Sequence, residues 1–167
     1  MFKYFPLILL VGLVIGCNQN KRMSHADAVA HIDSLKAELL RTDREWSVRS
    51  KKEGYYHARI EYAADSSIEI EEGVMPIVGK KKFEDYPSVH PDSVFCLGWT
   101  PLRVEVDSAG EMGYTFGGFA YYTKTKLGHD TTYYGDYVTI WRRQADGKWK
   151  FVMDGGTDTP FPVMELK

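Results

Sequence analysis

Apolar residues recur at helical spacing in the first third of the chain. Ser24, followed by Asp27 three residues later, has the pattern of a helix N-cap, and Gly54 is a typical helix end. Between them an apolar stripe lies on one helical face, formed by Ile32, Leu35, Leu39 and Trp46. The pattern predicts one long helix that buries this face.

Two shorter helical segments are predicted beyond Gly54. Tyr56, Ile60 and Ala63 stand at i, i+4 and i+7, which indicates a second helix with one apolar face. Residues 79–87, GKKKFEDYP, favour one or two helical turns that Pro87 closes. Both segments are polar outside their few apolar positions, so we expect them to lie on the surface of the core.

Strand periodicity first appears in residues 65–73, DSSIEIEEG. Ile68 and Ile70 alternate with Glu69 and Glu71, which is typical of a half-buried strand. The alternation predicts that the isoleucines face the core and the glutamates face solvent.

From Ser93 onward the pattern is that of strands joined by short turns. Asp146-Gly147 is a strong hairpin signal, and Gly117-Gly118 within a strand indicates a bulge or bend. Four successive strands predict an antiparallel meander, over residues 93–106, 111–123, 131–144 and 148–156. Helices packed on one face of a curved antiparallel sheet make an α+β fold shaped like a cone.

The third strand of the meander has two unlike faces. Val138 and Ile140 form an aliphatic face, which suits contact with the long helix. Tyr137, Thr139 and Trp141 lie on the other face, which suits an open sheet surface or a dimer interface, because interfaces are rich in such aromatics. We expect these aromatics to serve core and interface first, and a pocket second.

Charge and composition exclude some classes of function. The chain has 167 residues and a net charge of −2, which fits one domain without the basic surface of a nucleic-acid-binding protein. The histidines are not paired at any metal-ligand spacing; they are His25, His31, His57, His90 and His129. The sequence therefore predicts no metal site and no cofactor.

The N-terminus has the pattern of an export signal. An apolar run follows Lys3 and is too short for a membrane span, which needs about 20 residues. Val14-Ile15-Gly16-Cys17 resembles a bacterial lipobox, so residues 1–16 are predicted to be removed and Cys17 to carry fatty acyl chains such as palmitate. Residues 17–23 then form a tether. By resemblance to lipoprotein sorting, we expect the periplasmic face of the outer membrane.

Several motifs together resemble one superfamily. They are Trp99-x-Pro101, Gly113-Tyr114-Thr115-x-Gly117, Tyr137-Val138-Thr139-x-Trp141-Arg142-Arg143, Asp146-Gly147-x-Trp149-Lys150 and Asp154. Their order resembles the SnoaL-like, DUF4440 branch of the nuclear transport factor 2-like (NTF2-like) superfamily, over residues 30–160. The resemblance implies a cystatin-like α+β cone in residues 24–160, with residues 161–167 as a tail. It does not give a function, because the superfamily contains enzymes and binding modules.

The resemblance also allows one catalytic mechanism to be tested. Ketosteroid isomerases of this superfamily use a carboxylate base after a Tyr-Ala pair, and Tyr62-Ala63 aligns with that pair. Ile70 then takes the position of the base, and an isoleucine cannot accept a proton. Glu69 and Glu71 are predicted to point to the opposite face. The isomerase mechanism in its usual form is therefore not expected.

Asp154 is the carboxylate of most interest for chemistry. If Val152 faces the cone, Asp154 does too, and burial would raise its pKa. The alternative, which we favour, is a strand-end aspartate that accepts backbone N–H groups from a turn at Gly155-Gly156. Asp154 is at most a weak catalytic candidate.

Three functions remain open. The first is binding of a small apolar ligand or a protein partner without catalysis, with a pocket formed by Trp46, Tyr62, Trp99 and Asp154. The second is an acid–base enzyme of the isomerase, cyclase or dehydratase type. The third is an assembly module with a filled cone. A homodimer is expected, and no nucleic-acid partner.

Overall fold

The computed structural model describes residues 24–85 and 92–165. The helices are α1 His25–Glu53, α2 Tyr55–Tyr62 and α3 Lys80–Asp85, with a short 3₁₀ turn at Asp92–Val94. The strands are β1 Ala63–Ile70, β2 Ile77–Val78, β3 Phe95–Val106, β4 Met112–Lys124, β5 Asp130–Arg143 and β6 Trp149–Thr159. The predicted signal segment, Cys17 and the tether lie outside the described residues, as does Pro87.

The caps of α1 are those that the sequence predicts. The Ser24 side chain accepts a hydrogen bond from the Asp27 N–H at 3.1 Å, and satisfies one of the donors that a helix start leaves free. Gly54 ends the helix with a φ of 95°, a value that favours glycine. Within residues 24–85 and 92–165, no helix is long and apolar enough to cross a bilayer.

The described strands form one curved sheet in the order β2-β1-β6-β5-β4-β3. The predicted meander from β3 to β6 is antiparallel throughout. The chain enters the sheet through β1, which pairs with β2 antiparallel and with β6 parallel. The α+β fold class is confirmed, and the parallel contact places the end of β1 beside the end of β6.

Helix α1 packs across the sheet and is held at the free edge of β3. The Ser47 hydroxyl donates to the Trp99 carbonyl at 2.7 Å and accepts from the Trp99 N–H at 2.9 Å. The Ser50 hydroxyl donates to the Leu97 carbonyl at 2.7 Å. An edge strand has unpaired backbone groups, and these two serines satisfy them. The contact also fixes which face of α1 looks into the cone.

The core is an aromatic cluster around Trp46, which is 1% exposed. Its ring stacks on Phe151 at 5.1 Å and on Tyr62 at 5.5 Å, and meets Trp99 edge-on at 4.8 Å. Stacked and edge-to-face pairs add about 0.5–1.5 kcal/mol each beyond their buried area. The cluster fills the space between α1, α2 and the inner face of the sheet.

The predicted faces of β1 and β5 are wrong. Glu69 is 2% exposed and Ile70 is 46% exposed, so the glutamate faces inward on β1. On β5, Tyr137, Thr139 and Trp141 are buried beneath the helices, whereas Val138 is on the outer face. Alternation defines two faces but not which one is inside, and polar partners inside the cone reverse the choice that hydrophobicity alone favours.

The buried face of α2 also differs from the predicted one. It consists of Tyr55, Ala58, Arg59 and Tyr62, while Ala63 already begins β1. The predicted bend at Gly117 is present, and the extra residue lies opposite it, between Pro101 and Arg103 of β3. A Cβ on Gly117 would lie 2.1 Å from the Thr100 carbonyl oxygen, so only glycine permits this close approach.

Candidate functional site

A cavity of about 460 Å³ lies between the helices and the inner face of the sheet. Aromatic residues are the largest group in its wall, among them Trp46, Tyr55, Trp99, Phe119, Tyr121 and Tyr137. Acidic side chains are the second component, namely Glu69, Glu71, Glu72, Asp154 and Asp158. The volume and the mostly apolar wall are those of a site for a small organic molecule.

Two carboxylates meet at the inner wall because their strands are neighbours. Glu69 of β1 and Asp154 of β6 are direct partners across the parallel contact. A bulge places Asp154 on this side: Ile140 pairs with Met153 and Trp141 with Phe151, so Val152 has no partner. The inserted residue reverses the alternation, and both Phe151 and Asp154 therefore face the interior.

Tyr55 links the two carboxylates. Its hydroxyl lies 2.8 Å from Glu69 Oε1 and 3.2 Å from Asp154 Oδ2. The Thr139 hydroxyl donates to Asp154 Oδ1 at 2.5 Å. A tyrosine hydroxyl has one proton, so it serves both carboxylates best when one of them is protonated and donates to it. The geometry therefore suits a pair that shares a proton.

The environment raises the proton affinity of both groups. Burial raises the pKa of Glu69 to about 8, opposed by the charge of Arg59 and reinforced by that of Asp154. Burial raises the pKa of Asp154 to about 6, opposed by the hydrogen bond from Thr139. Such a pair titrates as a unit, and near neutral pH it holds about one proton.

Arg59 supports the pair from behind. Its guanidinium is fully buried and forms an ion pair with Glu69 Oε2. It stacks over Phe83 at 4.5 Å and over Tyr56 at 4.8 Å. Aromatic faces attract a cation, so the buried charge is stabilised from three directions. Arg59 thus orients Glu69 without lining the cavity.

A third carboxylate, Asp43 of α1, is buried under the cavity floor. Its Oδ1 accepts from Trp99 Nε1 at 2.6 Å and its Oδ2 from the Tyr137 hydroxyl at 2.7 Å. It is 0% exposed, and burial raises its pKa against these hydrogen bonds. Asp43 holds the two rings in place but does not line the cavity.

The structure separates the four predicted pocket residues. Trp46 and Trp99 form the floor of the cavity, and Asp154 lies in its wall. Tyr62 does not line it, because its ring lies behind Trp46. The predicted turn at Gly155-Gly156 is wrong: β6 continues to Thr159, and side-chain hydroxyls rather than backbone N–H groups contact the Asp154 carboxylate.

Sequence reasoning missed Glu69, Tyr55, Arg59 and Asp43. For Asp43 a signal was available, since it stands four residues after Leu39 on the apolar stripe of α1, where a charged residue is costly unless it is paired. For Glu69 the alternation indicated the wrong face. Within the described part of the chain, no group of three or more His, Cys, Asp or Glu side chains could hold a metal ion.

Comparison with known proteins bears on the fold alone. No protein-family model matches the sequence, and no curated protein matches it. Among solved structures, a hexachlorocyclohexane dehydrochlorinase, LinA-type3 from Novosphingobium barchaimii, is 17% identical with a TM-score of 0.61, covering 82% of this chain and 98% of that one. The fold is therefore NTF2-like.

Two further structures support the same assignment. An NTF2-like protein with a cystatin-like fold from Novosphingobium aromaticivorans is 14% identical with a TM-score of 0.62, covering 82% of this chain and 91% of that one. A ketosteroid isomerase-like protein from Erwinia carotovora atroseptica is 16% identical with a TM-score of 0.57, covering 80% of this chain and 98% of that one. These likenesses show the cone fold and do not assign a function.

Proposed function

We propose that the cone binds a small, mainly apolar molecule that presents one polar group to the Tyr55–Glu69–Asp154 cluster. The observation that supports this proposal is the open cavity of about 460 Å³ with this hydrogen-bonding cluster in its wall. Apolar contact supplies most of the affinity of such sites, and a few fixed polar groups orient the ligand. Trp46, Trp99 and Asp154 are its proposed contacts, and Tyr62 acts on it only through Trp46.

A cavity-filling variant tests this proposal on the full chain in a neutral detergent. Leu97 lines the cavity, so Leu97→Trp narrows it, and Leu127→Trp adds the same ring at a site that is 84% exposed. Cyclohexylmethanol is the probe, measured by calorimetry against a detergent blank. We expect Leu97→Trp to weaken binding about tenfold, the equivalent of roughly 50 Å² of apolar contact. Equal affinities in the two variants would refute binding in the cone.

Proton transfer is the second candidate function. The observation that favours it is the pair of carboxylates whose pKa values are raised to about 8 and about 6, on either side of neutrality. A general base works best when its pKa is near the working pH. By these values Asp154, rather than the predicted base position Ile70, would be the base near neutral pH, with Glu69 as its protonated partner.

Deuterium exchange at the α-carbon of cyclohexanone, followed by NMR in heavy water, measures this activity directly. We expect faster exchange with the wild-type protein than in buffer, and loss of the acceleration in Asp154→Asn. Asp33→Asn, an exposed change on α1, should leave it intact. A rate no higher than that of buffer would exclude this chemistry and leave the binding proposal standing.

We also propose that Cys17 anchors the protein to a membrane through its acyl chains, at the periplasmic face of the outer membrane. The lipobox-like Val14–Cys17 supports this. Cys17→Ser should move the protein from the membrane fraction to the soluble fraction. Membrane retention of Cys17→Ser would contradict acylation as the anchor.

A homodimer and membership of the SnoaL-like, DUF4440 branch stay proposals. The surface first considered for a dimer is buried, since Tyr137 and Trp141 face the core. The outer face of the sheet is the remaining candidate, because Tyr122 and Val138 are 49% and 43% exposed there. Sedimentation of the full chain at several concentrations would show the dimer, and a monomer at all of them would contradict it.

A further inference from the structure

The charge of the cavity wall narrows the class of ligand. Five acidic side chains line the cavity, and of the residues that the structure describes, those that line it include no lysine, arginine or histidine. Glu72 and Asp158 are exposed at the mouth, and Asp154 lies deeper. A cleft lined by one sign of charge attracts ligands of the other sign.

Asp154 forms no salt bridge with any residue that the structure describes, and the charge of Arg59 acts on it only from a distance. Its two oxygens contact the hydroxyls of Tyr55 and Thr139, which are neutral donors. Arg59 pairs with Glu69 and lies outside the cavity wall. A positive group in the cavity beside Asp154 would therefore complete an ion pair that the protein leaves open.

The same wall offers the aromatic faces that bind cations. Trp99, Phe119 and Tyr121 line the cavity and are partly exposed, and a ring face attracts an ammonium group within about 6 Å. The protein already stabilises one buried cation in this way, because Arg59 lies 5.7 Å from the Tyr55 ring centre and 4.8 Å from that of Tyr56. Aromatic faces and an unpaired carboxylate together form a site suited to an organic cation.

We propose that the ligand of the cone is an organic cation, a primary or quaternary amine whose apolar part packs on the aromatic wall and whose nitrogen faces Asp154. This inference rests on the proposed binding function and specifies its ligand class. A neutral ligand would leave the carboxylate without a counter-charge, and an organic anion would face like charges.

Two probes of nearly equal shape separate the ligand class from the binding function. Cyclohexylmethylamine is a cation near neutral pH, and cyclohexylmethanol is its neutral counterpart. Calorimetry on the full chain in neutral detergent should show the amine binding about tenfold more tightly, in line with one desolvated cation–π and carboxylate contact. Equal or tighter binding of the alcohol would overturn the cation inference and leave the cone as a binding site. Binding of neither probe would overturn both.

Variants show which carboxylate causes the protein to bind the amine more tightly than the alcohol. Asp154→Asn keeps the shape of the side chain and should remove most of the preference for the amine, with little change for the alcohol. Asp33→Asn removes one exposed charge on α1 and should change neither affinity. Asp158→Asn at the mouth is exposed, so folding is not at risk, and it should lower the preference about twofold. A preference that survives both cavity variants would refute the assignment.

Discussion

Two buried carboxylate sites in this protein differ in what surrounds them. Asp43 accepts two hydrogen bonds from ring donors, Trp99 and Tyr137, and is closed off from the cavity. Glu69 and Asp154 share one donor, Tyr55, and both line the cavity. The comparison shows that burial alone does not identify a functional carboxylate. What distinguishes the two sites is whether the carboxylate lines the cavity, where it can contact a bound ligand.

The difference follows from the elements that hold each site. Asp43 lies on the buried face of α1, where the rings of β3 and β5 close over it. Glu69 and Asp154 lie at the parallel contact of β1 and β6, which forms part of the cavity wall. We therefore assign Asp43 to stability and the Glu69–Asp154 pair to ligand contact, and three predictions test this division.

The largest effect is expected at Asp43. Asp43→Ala leaves the Trp99 indole N–H and the Tyr137 hydroxyl without their acceptor, at about 1–3 kcal/mol for each buried group. The free energy of unfolding, measured with urea on the full chain in neutral detergent, should fall by about 3 kcal/mol or more. Asp33→Ala, exposed on the same helix, should change it by less than about 0.5 kcal/mol. Similar losses in the two variants would show that Asp43 is not a structural anchor.

A smaller effect, dependent on pH, is expected at Asp154. Its pKa is raised from 3.8 to about 6 in the folded protein, so the folded state holds a proton that the unfolded chain has released between these values. This contribution to stability is complete below about pH 4 and is lost as the pH rises through about 6, and it amounts to about 3 kcal/mol.

Comparison of two proteins isolates that contribution from the other titrating groups. Asp154→Asn has no proton to lose, so its stability relative to the wild type should increase between about pH 4 and pH 7. Urea unfolding at several pH values measures the difference. A difference that is constant over this range would mean that Asp154 has an ordinary pKa and is not held in a low-dielectric wall.

The smallest effect is expected at Ile70, which lies beside Glu69 but on the exposed face of β1. Because Ile70 is 46% exposed, Ile70→Ala should cost no more than about 0.5 kcal/mol in the free energy of unfolding. Leu39→Ala, at a position that is 0% exposed, should cost about 2–5 kcal/mol. A loss of stability in Ile70→Ala as large as that in Leu39→Ala would show that Ile70 faces the core, as its hydrophobicity predicts. Glu69 would then point away from the cavity.

Local patterns in the sequence predicted most of the fold. The N-cap at Ser24, the helix end at Gly54 and the four-strand meander are short-range features, and the structure contains all of them. The parallel pairing of β1 with β6 was not predicted, because the two strands are far apart in sequence and neither contains a signal for its partner.

The site was harder to predict, because each of its features depends on contacts between distant residues. The unpaired Val152 turns Asp154 inward, and nothing in the local alternation reveals that bulge. Glu69 is buried because Tyr55 and Arg59 of another element compensate its charge. From the pattern IEIEE alone, the isoleucines were the better candidates for the interior.

By itself, the sequence determined the positions of most helices and strands, since spacing, caps and turns act over a few residues. It also determined the aromatic and acidic side chains from which a site could form. Only the tertiary structure decided which face of β1 and β5 is inside, and that Glu69 and Asp154 meet at Tyr55. A buried charge is stable only beside its partners, and its position is therefore fixed by the packing of the whole cone.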